Sequence, residues 1–325
     1  MTAPSSRPRR GSLPPLLAAV LAAVIGAVVP LQSRVNGELG AQLDDAVLAA
    51  AISFGGGLVV MVVVALCLPR VRRGVLRLPG AVRRRELPAG YLLAGTVGAV
   101  LVITQSAVVA VIGVAIFTVA VVAGQTLSGL LSDSVGFAQD VRRRPTRSRL
   151  VGAALVLVAV ALSASSSLTG DRPWLELLGP AALPLVAGLL TGFQHAANAR
   201  VGAVAGSPLA ATVMNFVAGT LALVVTALVR DRGLPATFPE DWWLYTGGLY
   251  GIVFIAGSAA LIPHTGVLVL GLGSIAGQLV ASLALDVLAP VSGSGVGART
   301  VAGTLLALVA IAIASFPARH SPRPR

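Results

Sequence analysis

Gln32 and Asn36 lie four residues apart at the end of an apolar run that begins at Leu16. On a helix that spacing puts both carboxamides on one face, where they offer donors and acceptors but no charge. The pattern returns in Gly188-Leu-Leu-Thr-Gly-Phe-Gln194-His-Ala-Ala-Asn198. Two more polar positions match, Ser53 with Asn215, and Gln125 with Gln278. Carboxamides do not supply a nucleophile or a general acid, so the chemistry they point to is recognition of an uncharged polar group. In hydrocarbon an unsatisfied amide costs several kcal/mol. These side chains must therefore face a bundle interior, either bonding a neighbouring helix or lining a central cavity. The second is expected for Gln32, Asn36, Gln125, Gln194, Asn198 and Gln278, with Ser53 and Asn215 as weaker members. Gln105 is weaker too, with Ser258 at the matching position of the second half.

Other chemistries find little support. His195, His264 and His320 fall on separate segments without ligand partners one helical turn away, so no metal site is expected. All 24 basic residues are arginine, and a phosphate-binding loop that ends in lysine cannot be built. The single cysteine, Cys67, excludes an internal disulfide. Paired carboxylates or an activated nucleophile at membrane depth are missing, so the chain is not read as an enzyme and no cofactor is expected. Asp44, Asp45 and Asp171 are read as solvated loop charges. Asp133 and Asp286 close two apolar runs at matching positions, where a carboxylate is costly unless it reaches an interface or a partner. They are read first as interfacial caps and second as candidates for proton coupling.

The elements that position these residues follow from composition. Of 325 residues, 56% are hydrophobic and 11% charged, with a mean hydropathy of +0.89. The bilayer is the solvent such a chain requires. Runs of about 20 residues, enough to cross it, lie near 15–35, 46–68, 89–110, 113–133, 149–167, 180–198, 208–229, 242–262, 266–288 and 299–317. Tight turns are expected at Val111-Ile112-Gly113 and at Pro263-His264-Thr265-Gly266.

Residues 24–66 align without a gap on 186–228, with thirteen identities in 43 pairs, among them Gly26/Gly188, Phe54/Phe216 and Gly57/Gly219. Residues 95–133 align on 248–286, pairing Gly95/Gly248, Gly98/Gly251, Gly113/Gly266 and Gly124/Gly277. The glycines are explained by close helix packing. The reading is an all-α integral membrane protein with ten transmembrane helices in two inverted five-helix repeats, because an odd number of spans forces the second unit in upside down. A basic tail covers 1–12, the first repeat 13–168, a linker 169–178, the second repeat 179–317 and a tail 318–325. Because the internal copy has no basic leader, the first apolar run is read as a retained span and not as a cleaved signal.

Arginine distribution orients the bundle. Arg7, Arg9, Arg10, the cluster from Arg70 to Arg85, the cluster from Arg142 to Arg149, Arg200 and the terminal arginines fall on one side. Only Arg34, Arg172, Arg230, Arg232 and Arg299 fall on the other. Both termini are therefore expected in the cytoplasm, with anionic lipid headgroups at the Arg-rich loops and no nucleic-acid partner.

Taken together, Gly26-x5-Gln32-x3-Asn36, Ser53-Phe-x2-Gly57 and Gly124-Gln125-x2-Ser128-x4-Asp133 resemble the YdcZ-type family of the drug/metabolite transporter superfamily. Repeated in both halves, they resemble a tandem form of a unit that other members encode singly. The resemblance implies a ten-span bundle in the bacterial cytoplasmic membrane that moves a small organic metabolite or drug-like solute. The small multidrug resistance proteins of that superfamily are similar around residues 23–26 but carry an embedded glutamate where this chain has Ala23, and Leu185 in the second half. A neutral or zwitterionic solute fits better than a cationic drug exchanged for protons. The alternative is a non-transporting membrane subunit or lipid-handling scaffold, in which the carboxamides only join helices.

Overall fold

A computed structural model describes residues 14–135, 146–165, 174–290 and 296–315, with the side chains of residues 15, 132, 133, 135, 174–181, 259, 260, 262–269 and 315, Asp133 and His264 among them, outside the description. The described regular structure is helical, as an apolar chain in lipid requires when every backbone N–H and C=O must be paired within its own segment. The helices are α1 (Pro15–Leu43), α2 (Ala46–Cys67), α3 (Pro69–Arg83), α4 (Gly95–Ile112), α5 (Val114–Val135), α6 (Arg147–Ala164), α7 (Trp174–Ala205), α8 (Pro208–Arg230), α9 (Gly247–Leu288) and α10 (Ala298–Ser315). Short 3-10 turns, Ala89–Leu93 and Trp242–Thr246, lead into α4 and α9. Among the described residues, seven helical segments are long and apolar enough to cross a membrane.

Several elements differ from expectation. Residues 69–83, read as an arginine-rich loop, form helix α3. Its Val71, Gly74, Leu78 and Ala81 are buried, an amphipathic stripe at helical spacing. Leu78 and Ala81 pack with Leu87, Val201, Ala205, Ala210 and Ala211, and Gly74 lies against Ala205 and Ala210, so α3 covers the α7–α8 junction, while Val71 joins the core around Phe54 and Phe216. Helix α1 runs on to Leu43, which puts Arg34 inside a helix and not in a loop. Helix α7 starts at Trp174, within the segment read as linker.

The turn expected at Gly113 is present: Gly113 has φ +81°, in the left-handed region that glycine adopts without strain, and separates α4 from α5. The turn expected at Pro263–Gly266 falls inside α9, whose bounds run from Gly247 to Leu288. Gly257 lies against Ile25, and Ser274 lies against the neighbouring Gly26. A straight helix would hold residues 257 and 274 about 25 Å apart. The chain thus bends back between them, giving α9 a first limb along α1 from Gly251 beside Gln32 to Gly257, and a second limb that returns along α1.

Contacts recur in matched form. Gly26 meets the Ser274 backbone and Gly277 that of Ala23; Gly188 meets the Val121 backbone and Gly124 that of Leu185. These two contacts of the α1–α9 pair have their aligned counterparts in the α7–α5 pair. Likewise Gly248 meets Ser53, and Gly95 meets Asn215. One apolar core joins α2, α4 and α8 around Phe54, Met61, Val102, Phe216 and Leu223, and another joins α5, α6, α9 and α10 around Val122, Val156, Leu279 and Ile311.

Candidate functional site

The polar residues of α1 form a relay with α4. The Ser33 hydroxyl donates to the Val29 carbonyl at 3.1 Å, one turn back along the helix. Gln105 Nε2 donates to Ser33 Oγ at 3.0 Å, and Asn36 Nδ2 donates to Gln105 Oε1 at 2.8 Å. Ser33, Asn36 and Gln105 are fully or almost fully buried. Gln105, ranked low from sequence, is thus the residue that ties Asn36 to a second helix. Its signal was weak because its aligned partner is Ser258.

The second half builds a different cluster. Gln194 Nε2 and Asn198 Nδ2 both donate to Asn215 Oδ1, at 2.7 and 3.1 Å. α7 supplies the two donors and α8 the shared acceptor, while Gln194 Nε2 also packs on Gly98 of α4. Three of the expected residues therefore meet in one place. Asn36 and Ser53 also meet, both lying against Gly247 at the start of α9. Gln32 is half-buried and reaches Gly251 on the first limb of α9.

Gln125 and Gln278 are placed apart from these clusters. Gln125 is half-buried on α5, its backbone carbonyl near Gly192, and Gln278 is buried on the second limb of α9. Among the described residues, no hydrogen bond joins either of them to the two networks.

The two aspartates separate as well. Asp286 is buried, and its two oxygens accept backbone N–H groups of Val114 at 3.0 Å and Ala115 at 2.7 Å. It caps the first turn of α5 from another helix, beside Gly113 and within electrostatic reach of Arg34. The Asp133 side chain lies outside the described residues.

Asp45 corrects the reading of a solvated charge. It caps α2 by accepting from Val47 N at 2.9 Å and Leu48 N at 3.1 Å, and it takes Arg230 Nη1 at 2.7 Å. Partial burial pushes the Asp45 carboxyl up, but the Arg230 hydrogen bond and the two backbone donors outweigh it and hold the group below the usual range. This ion pair joins the α1–α2 turn to the end of α8. It borders a cavity of about 350 Å³ lined also by Gly40, Asp44, Ser106 and Arg232. Ser106 Oγ is buried without a partner in that wall, one residue from Gln105.

A family model described as "Putative inner membrane exporter, YdcZ" matches residues 17–162 and again residues 179–313. No curated protein matches the chain.

Proposed function

Since the chain belongs to the YdcZ family of inner-membrane proteins, carrying the family unit twice, we propose that it is a secondary transporter. It moves a small organic metabolite or drug-like solute across the cytoplasmic membrane by alternating access, in the export direction that the family's description indicates. Repeats 13–168 and 179–317, joined by 169–178, are ten spans of opposite insertion with both termini in the cytoplasm.

The observation that carries this reading is the exchange of aligned contacts between the halves. Gly26 on Ser274 answers Gly188 on Val121, and Phe216 on Gly57 answers Phe54 on Gly219. A two-fold relation between two like units produces such pairs, and for units with an odd number of spans its axis lies in the membrane plane. The crossings are made through glycines, where backbones approach closely and little side-chain interlocking opposes rocking. Gln32, Asn36, Ser53, Gln194, Asn198 and Asn215 frame the solute path, with Gln125 and Gln278 further along it. Asp133 and Asp286 are the candidates for coupling. The networks hold no carboxylate, which favours a neutral or zwitterionic solute. The arginines of α3 and of the other cytoplasmic loops attract anionic lipid headgroups.

A thermal-shift screen of the purified protein against metabolites and drugs identifies the solute, because a ligand that binds the folded state stabilises it. Uptake of the stabilising compound into liposomes then tests transport. A screen with no stabilising compound, joined to co-purification of a stoichiometric partner, would sink the proposal.

A further inference from the structure

The two halves differ at one place in a way that selects a ligand. Asn36 aligns with Asn198, Ser53 with Asn215, and Gly247 with Ala94. In the second half, the longer Asn215 gives its oxygen to both neighbouring carboxamides. That cluster is closed. In the first half, serine is shorter and glycine has no Cβ. Asn36 Oδ1 and Ser53 Oγ are buried with no hydrogen-bond partner, in residues 0% and 2% exposed. Both face Gly247, where a Cβ would run into Asn36 Oδ1 and come within 2.7 Å of Ser53 Oγ. A buried polar atom without a partner is costly, and such an atom calls for an explanation.

The relay fixes what the open end can bind. A backbone carbonyl only accepts, so Ser33 donates its proton to Val29 and uses its lone pair for Gln105 Nε2. Gln105 Oε1 then faces Asn36 Nδ2. The free atom of Asn36 is left as the carbonyl oxygen, an acceptor.

Resting on the transport reading above, we infer that the solute is held off the two-fold axis, in the first half, by an amine or hydroxyl group that donates to Asn36 Oδ1 and Ser53 Oγ. Gly247 covers these atoms, and movement of the α9 first limb away from α1 and α2 admits the solute. Carboxylates and phosphates are rejected in place of that donor, since they would bring lone pairs against Asn36 Oδ1. The aligned position in the second half is closed by Asn215, whose oxygen already accepts from Gln194 and Asn198.

The test is uptake into liposomes of three labelled probes, zwitterionic β-alanine, neutral sorbitol and anionic succinate, by the wild type, Gly247→Ala, Ser53→Ala and Ala94→Gly. β-Alanine or sorbitol is expected to enter, and which of the two enters tells amine from hydroxyl. Gly247→Ala should lower that uptake by roughly tenfold, because its methyl fills the gap. Ser53→Ala, which removes one acceptor and adds no bulk, should raise KM roughly fivefold with kcat kept. Ala94→Gly should stay within about twofold. Uptake of succinate alone, or donor uptake unchanged in Ser53→Ala and in Gly247→Ala, overturns the inference and leaves transport standing. No uptake of any probe overturns the donor assignment; an empty solute screen in addition removes transport too.

Discussion

Phe54 and Phe216 meet ring to ring, centroids 5.3 Å apart and planes tilted by 54°. They occupy aligned positions, and each also closes on the other half's glycine, Phe54 on Gly219 and Phe216 on Gly57. A self-paired contact of this kind lies where a two-fold axis would pass. Phe216→Ala should cost about 3 kcal/mol from lost packing. The Phe54/Phe216 double-mutant cycle should return about 1 kcal/mol of coupling. Thermal unfolding in detergent measures both, and strict additivity would remove the ring pair as a stabilising contact.

The Asp45–Arg230 pair predicts a pH dependence of stability. Because the folded Asp45 carboxyl sits below its ordinary value, its contribution is complete well above the usual aspartate pKa of about 3.9. It fades as pH falls through the lower folded value. Asp45→Asn keeps a helix cap but loses the ion pair, so the mutant should melt lower than wild type at pH 7. The gap should narrow below about pH 4. A gap independent of pH would show that the charge on Asp45, and so its ion pair with Arg230, does not carry the loss.

Asp286 separates a structural role from a coupling role. Asp286→Ala leaves the Val114 and Ala115 N–H groups buried and unpaired, at about 1–3 kcal/mol. Asp286→Asn keeps one acceptor and should lie between. If Asn abolished the pH dependence of uptake while melting like wild type, Asp286 would be a coupling residue and its cap incidental.

Helix α3 presents Arg70, Arg72, Arg73 and Arg77 outward, with Leu76 71% exposed and Leu78 1% exposed on its inner face. Replacing the four arginines by glutamine should weaken association with phosphatidylglycerol by up to about 1 kcal/mol per residue. Native mass spectrometry in nanodiscs reads this against phosphatidylcholine. Leu78→Glu should instead destabilise the fold, because it puts a charge between α3, α7 and α8.

The membrane-spanning character of the helices and the doubled family unit are legible in the sequence, because hydropathy and glycine identities report directly on lipid and on close backbone crossings. Gln194 and Asn198 could be found because their i, i+4 spacing is local. The partners of Asn36 could not: Gln105 lies 69 residues away and its aligned residue is a serine. Helix α3 is obscured in the sequence by its own arginines, which lower its hydropathy and interrupt the buried stripe Val71, Gly74, Leu78 and Ala81. Asp45 looked solvated because its partner, Arg230, is 185 positions distant. What stays illegible in each case is a pairing set by packing between helices, which neither periodicity nor composition encodes.

Uptake of the screened solute into liposomes, compared between wild type and Gln194→Ala, tests the central claim most directly. Gln194 donates to Asn215 beside Gly98, so its removal should lower solute uptake by about tenfold or more, with the protein still folded. Uptake unchanged in Gln194→Ala would contradict a solute path framed by these carboxamides.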